Sequence, residues 1–190
     1  MNPPLSPQQR SRNRGMLVLI VALFLGSALV AGLLRFSGWR PEGTRSHGEL
    51  LQPPADLRLA GVPRLHDGGE YAWQQAERTW RIALAPAGGC AAPCVELSQQ
   101  LDKVWRLFGH RADRVHILWI GEAPPDAVRN EAWRQLATDP ALLAALPRSD
   151  DPAGTPVYVV DPNGFVILRY PPGFDPGHLR EDVARLLRLR

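Results

Sequence analysis

Apolar positions along this chain fall into one unbroken block near the N-terminus, then into short alternating or helically spaced groups divided by proline and glycine. The block runs from Met16 to Leu34, 19 residues without a charge. As a helix it would reach ~28 Å, about the thickness of a bilayer's hydrocarbon core. A cleavable leader is the competing reading, because Gly26, Ser27 and Ala28 offer a small-residue cleavage site. The apolar region of such a leader ordinarily holds only ~7–15 residues, so this run reads as a retained anchor. Arg10, Arg12 and Arg14 precede it without nearby acids, which favours a cytoplasmic N-terminus. The expected organisation is a cytoplasmic segment over 1–14, a transmembrane helix over 15–36, a linker over 37–55 and a folded domain over 56–190. Gly38, Pro41, Gly43, Gly48, Pro53 and Pro54 mark the linker, because they discourage regular structure. Trp39 suits the membrane interface just beyond the span.

The pattern beyond position 56 alternates between strand and helix. Thr79–Ala85 alternates as a strand, with Pro86 after it. Leu97, Leu101, Val104, Trp105 and Phe108 then share one helical face, with Pro93 in the first turn and Gly109 at the stop. Val115–Ile120 is a mostly apolar run of the kind buried on both faces in a parallel sheet. Asp126 is expected to cap a helix carrying Val128, Ala132 and Leu136 on one face, with Trp133 among its apolar positions. Asp139-Pro140 opens a shorter helix that Pro147 ends. Val157–Val160 and Phe165–Leu168 flank Asp161-Pro162-Asn163-Gly164, a strong hairpin signal. Asp175-Pro176 begins a last helix with Leu179, Val183, Leu186 and Leu187 as its buried stripe. Leu57–Asp67 and Glu70–Gln74 would add a small hairpin. This order predicts an α/β domain of three layers, a central sheet with helices on both faces.

Charge narrows the function classes. The chain has 22 basic and 19 acidic residues, a net of +3. Arg10, Arg12, Arg14 and Arg35 precede the first acidic residue, Glu42, and beyond Arg35 the balance is 18 basic to 19 acidic. The domain therefore has no electrostatic footprint for a polyanion, and nucleic acid is excluded as its partner. The membrane remains as a partner of the N-terminal segment.

The only two cysteines, Cys90 and Cys94, lie between the first core strand and the first long helix, in Gly88-Gly89-Cys90-Ala91-Ala92-Pro93-Cys94. Thiols at i and i+4 on a helical turn share a face, with Cα atoms ~6 Å apart and within disulfide reach. A thiol at a helix N-terminus meets unpaired N–H groups and the positive dipole end, which stabilise the thiolate. Thiolate is the form that attacks disulfides and binds Cu(I). The alternative is an inert disulfide that tidies a loop. A zinc site would lack two of its four ligands.

The order of elements, the cysteine pair and Gly154-Thr155-Pro156 before the hairpin together resemble the thioredoxin-like superfamily. That resemblance implies that Pro156, usually cis at this place, closes the site beside the cysteines. The chain further resembles the Sco family of membrane-anchored copper and thiol-redox proteins for cytochrome c oxidase assembly. It is similar, too, to Sco-related membrane proteins of bacterial oxidase operons. Cys90-x-x-x-Cys94, Tyr158-Val-Val-Asp161-Pro-Asn-Gly164, the terminal helix and the single anchor carry the likeness, over roughly Gly69 to Arg190. It implies Cys90, Cys94 and Pro156 as the catalytic set. It also implies Cu(I) on Cys90 and Cys94 as the one metal to consider, and oxidase subunits or their assembly factors as partners. The location implied is the bacterial inner membrane, with the domain periplasmic.

Two departures stand out. Sco proteins carry a proline just after the second cysteine, whereas here Val95 follows and Pro93 precedes. Their copper-ligand histidine would fall on Ala153. Of the histidines present, His116 reads as a hydrogen-bonded core residue, His110 as a helix C-terminal cation and His178 as a solvated position. His47 and His66 are the two that could fold over the cysteines. Stable Cu(II) binding is not expected. Two readings stay open: a thiol–disulfide or copper-related factor, at most a thiol–disulfide oxidoreductase, and a non-catalytic assembly scaffold with a structural Cys90–Cys94 disulfide.

Overall fold

The computed structural model describes residues 7–37, 46–73, 75–88 and 90–188. The chain divides into two compact units, Met1–Gly43 and Thr44–Arg190. In the first, α1 (Pro7–Phe36) contains a stretch, Asn13–Phe36, long and apolar enough to cross a membrane. The Ser27 hydroxyl donates to the Phe24 carbonyl at 2.9 Å, so the one polar side chain of the apolar block Met16–Leu34 is satisfied within the helix. The helix starts at Pro7, earlier than the apolar block, and proline is well tolerated at a first helical position. Trp39, Pro41 and Gly43 lie outside the described residues.

The second unit is built on a six-stranded mixed sheet. Its strands in chain order are β1 (Glu49–Asp56), β2 (Trp80–Leu84), β3 (Val115–Ile120), β4 (Trp133–Leu136), β5 (Val157–Val160) and β6 (Phe165–Tyr170), and their order in space is β1-β6-β5-β2-β3-β4. β2, β3 and β4 run parallel, whereas β5 and β6 are antiparallel to their neighbours. Helix α2 (Ala92–Arg106) connects β2 to β3, α3 (Pro140–Ala144) lies between β4 and β5, and α4 (Pro176–Leu186) ends the described chain.

Side chains alternate between two cores, as the twofold strand period requires. Ile82, Leu84, Ile117, Trp119, Val157 and Val159 pack with Leu101 and Val104 of α2 and with Leu179 and Val183 of α4. Ala83, Leu118, Ile120, Tyr158 and Val160 face the other way, against Leu57, Tyr71, Leu142 and Leu146. Each fully buried Leu, Val or Ile contributes about 1.5–3 kcal/mol. The three-layer α/β arrangement expected from the sequence is thus present.

Two segments differ from expectation. Residues 49–55, expected in the linker, join Asp56 in edge strand β1, with Glu49 opposite Arg169 and Ala55 opposite Val166. Pro53 and Pro54 sit where the register shifts, and an edge strand tolerates a missing N–H. The segment expected as an Asp126-capped helix is instead loop and strand β4. The Val128–Ala132–Leu136 spacing imitates a helix, but Trp133 stacks on Trp119 at 4.8 Å and Leu136 pairs with Ile120. Side chains of α2 satisfy the loop: Val128 N–H donates to Ser98 Oγ and Asn130 Nδ2 donates to Asp102, both at 2.9 Å. The expected hairpin over 57–74 is reduced to a short helical turn, Leu57–Ala60, and one antiparallel bridge, Arg64 to Glu70.

Charged groups inside this unit are held by named partners. The Asp182 carboxylate, 2% exposed, accepts from Tyr170 Oη at 2.6 Å and from the N–H groups of His47 and Gly48 at 2.7 and 3.1 Å. A side chain at position 48 would meet the Tyr170 ring at 2.7 Å, so only glycine permits this approach. Arg81, in the centre of the sheet, donates to Tyr71 Oη and to the carbonyls of Thr79, Asp161 and Pro162. Tyr71 Oη also lies 2.8 Å from His116 Nδ1.

Burial, with Arg134 and then Arg81 nearby, pushes His116 down from 6.5 to about 4. Between those values the unfolded chain takes up a proton that the folded chain refuses, so stability present above pH 6.5 is lost as pH falls toward 4. The melting temperature of the wild type should decline across this window, and His116→Gln should flatten the decline. Equal slopes in both proteins would show that another group is responsible.

Candidate functional site

The end of β2 delivers the chain to the cysteine turn. Cys90 N–H donates to the Ala87 carbonyl at 3.3 Å, and α2 begins two residues later. Pro93 occupies the first turn, where its missing N–H costs nothing. The two sulfurs are joined in a disulfide with Cα atoms 5.6 Å apart, the separation the spacing predicts. They are not equivalent. Cys94 lies inside the first turn of α2 and is 1% exposed, packed in the core. Cys90 precedes the helix and is half-buried. Only one sulfur is therefore open to a partner.

Cys90 opens onto a cleft of about 860 Å³. Pro93, Leu97, Pro172 and Phe174 give it apolar walls, and the loop Ser149–Thr155 forms the opposite side. That loop is fixed from beneath. The Asp151 carboxylate accepts from the N–H of Ala153 at 3.1 Å and from Arg169 Nη2 at 2.5 Å. The Ala153 N–H first, and then the Arg169 guanidinium, hold the Asp151 carboxyl below its ordinary range. Arg169 itself is 1% exposed and also contacts Glu49 and the Arg148 carbonyl, while Arg148 pairs with Glu49. Tyr158 Oη donates to the Pro147 carbonyl at 2.8 Å, a second tie on the segment that leads into the loop.

The predicted site residues are placed as follows. Cys90 and Ala153, the position that the Sco resemblance gives to histidine, line the same cleft. Pro156 is buried at the start of β5, and its neighbour Thr155 lines the cleft. The expected cis bond is absent there: the one cis peptide among the described residues is Gln52–Pro53. The turn into β5 is made instead at Gly154, whose φ of 138° no larger residue adopts easily. Neither histidine thought able to fold over the cysteines does so. His47 stacks on His178 at 4.1 Å, and His66 faces Glu122 at 4.0 Å. Trp133 lies on β4 and not on a helix. Sequence reasoning missed Arg169, which faces Tyr158 and Glu49 across neighbouring strands, a register that no local pattern signals.

The donor set does not fit a three-ligand copper centre. One sulfur, that of Cys90, and carboxylates line the cleft, no imidazole does among the described residues, and Asp151 is engaged by Arg169. Two thiolates, present only after reduction, remain as the soft donors.

Comparisons with known proteins agree with this geometry. The family described as "Transmembrane-like, thioredoxin-like, C-terminal domain" matches residues 80–190. Copper-bound yeast Sco1 superposes with a TM-score of 0.53 at 14% identity, covering 78% of this chain and 96% of its own. A thioredoxin-like protein from Aeropyrum pernix gives a TM-score of 0.50 at 17% identity, covering 67% and 91%. At these identities the likeness is one of fold. No curated protein matches this chain in sequence.

If Arg169 positions the cleft loop, Arg169→Met should loosen it locally. Amide hydrogen exchange at Asp151–Thr155 should rise roughly tenfold or more, with smaller changes in α2. Unchanged exchange in that loop would mean that Tyr158 and the turn at Gly154 hold it alone.

Proposed function

The chain belongs to the transmembrane-like, thioredoxin-like C-terminal domain family, and on that premise we propose that it is a membrane-anchored thiol–disulfide exchange factor serving cytochrome c oxidase assembly. The observation that carries the reading is the asymmetric pair: half-buried Cys90 on an open cleft, Cys94 buried in the first turn of α2. In the dithiol form, Cys90 loses its proton to solvent and its thiolate attacks a partner disulfide. A Cys90–partner S–S bond forms and one partner sulfur leaves as thiolate with the electron pair. Cys94, deprotonated in turn, attacks Cys90 Sγ and expels the second partner thiolate. The pair is oxidised by two electrons and the partner disulfide is reduced to two thiols; the reverse sequence oxidises a partner dithiol. The loop Ser149–Thr155 would hold the partner segment against Cys90. The link to the oxidase rests on the Sco-like residues Tyr158–Gly164 and the single anchor.

A second reading is favoured by one observation. Ala153 stands on the cleft where the Sco resemblance has a metal-binding side chain, which suits an assembly scaffold whose disulfide only fastens the turn.

Alkylation separates the two. In the full chain in detergent, Cys94→Ser should leave Cys90 reactive with a thiolate midpoint below the free-thiol value of ~8.5. A midpoint at or above that value supports the scaffold. For the anchor, a reporter fused after Arg190 should be active on the periplasmic side. Cytoplasmic activity would reverse the orientation drawn from Arg10, Arg12 and Arg14.

A further inference from the structure

The cleft beside Cys90 is charged in one sense only. Glu96, Asp150 and Asp151 line it, and among the described residues no arginine, lysine or histidine does. Asp151 is directed at Arg169, so its charge is compensated on the side away from the cleft. Glu96 and Asp150 are exposed. Between these acids the walls are apolar, from Pro93, Leu97, Pro172 and Phe174. Charge of one sign over low-dielectric walls focuses the field on whatever approaches the sulfur.

Resting on the thiol–disulfide reading, we infer that this cleft selects an extended polypeptide segment whose cysteine is flanked by arginine or lysine, with Glu96 and Asp150 as the residues that set the preference. A cation beside the partner sulfur gains attraction from both carboxylates as it docks, and the apolar walls receive the rest of the segment. The same acids repel small thiols that carry carboxylates. Such thiols are thereby kept from reducing the Cys90–Cys94 bond, and access is reserved for a basic protein partner. The selection acts on approach and not on the sulfur chemistry, so the bonds made and broken are those already given: Cys90 to the partner sulfur, then Cys94 to Cys90.

The test uses the reduced full chain in neutral detergent with three small disulfides as probes: cationic cystamine, neutral hydroxyethyl disulfide and anionic dithiodipropionate. Each rate is divided by that of a free uncharged thiol with the same probe, which removes the leaving-group difference. The normalised cationic-to-anionic ratio should be roughly tenfold or more at low ionic strength. It should fall toward one in about 1 M salt, where screening acts over ~3 Å. The double variant Glu96→Gln, Asp150→Asn should reduce it likewise, each charged-probe rate being divided by the same variant's rate with the neutral probe. A wild-type ratio near one, or a ratio that neither salt nor the double variant changes, overturns the charge preference and leaves the exchange reading standing. Failure to react with all three probes overturns both.

Discussion

The antiparallel pairing of β2 with β5 sets Leu84 opposite Val157, and the cysteine turn and the loop Ser149–Thr155 take their places from that register. Leu84 is the last residue of β2, so the chain leaves the sheet there toward the cysteine turn. Val157 is the first residue of β5, so the chain enters the sheet beside it from the loop Ser149–Thr155. Segments more than 50 residues apart are thereby brought to one end of the sheet. A slip of one residue would turn Ile82 and Leu84 away from α2 and α4 and put Ala83 in their place. Both strands are buried throughout, so neither can slide without exposing apolar surface or burying the wrong size of side chain. The cleft is in this sense a consequence of core packing, and the disulfide only fastens one of its walls.

How much of this was legible in the sequence follows from where local pattern and tertiary demand coincide. Val115–Ile120 matches its strand at both ends because a central parallel strand shows as an apolar run whatever surrounds it. Asp139 and Asp175 cap their helices as expected, since an N-cap is decided within three residues. Residues 125–136 failed for the opposite reason. Their fourfold apolar spacing suits a helix, but β3 has an open hydrogen-bonding edge that only an extended partner can fill, and the tryptophan stack settles it. The prolines of β1 misled in a similar way. They break an internal strand, yet on an edge they leave the outward side without donors and discourage pairing with other chains.

Half of the site was visible and half was not. The cysteine spacing gave the Cα separation. Ala153 was located by counting back from Tyr158, and it does line the cleft. Arg169 was invisible because its partners come from three places in the chain: Asp151 in the loop, Glu49 on an edge strand expected to be linker, and the Arg148 carbonyl. Nothing in the local sequence of β6 distinguishes a buried arginine from a solvent-facing one. The register with Glu49 does, and it becomes readable only once β1 is known to be a strand.

Buried charge gives the domain its specificity of shape, and the way each charge is met decides what is left for the cleft. Arg81 is met by carbonyls and a phenol, Asp182 by amides and a phenol, and Arg169 by carboxylates. Removing one partner from such a group leaves a desolvated charge, so each acts as a lock on the segments that supply its partners. The lock at Arg169 closes on the loop beside Cys90. By turning Asp151 inward it leaves the methyl group of Ala153 and the carboxylate of Asp150 on the cleft side. Ala153 offers no donor atom from its side chain there, while the carboxylate of Asp150 stays exposed. The fold shared with copper-bound yeast Sco1 thus carries, in this chain, one half-buried sulfur and exposed carboxylates on the cleft.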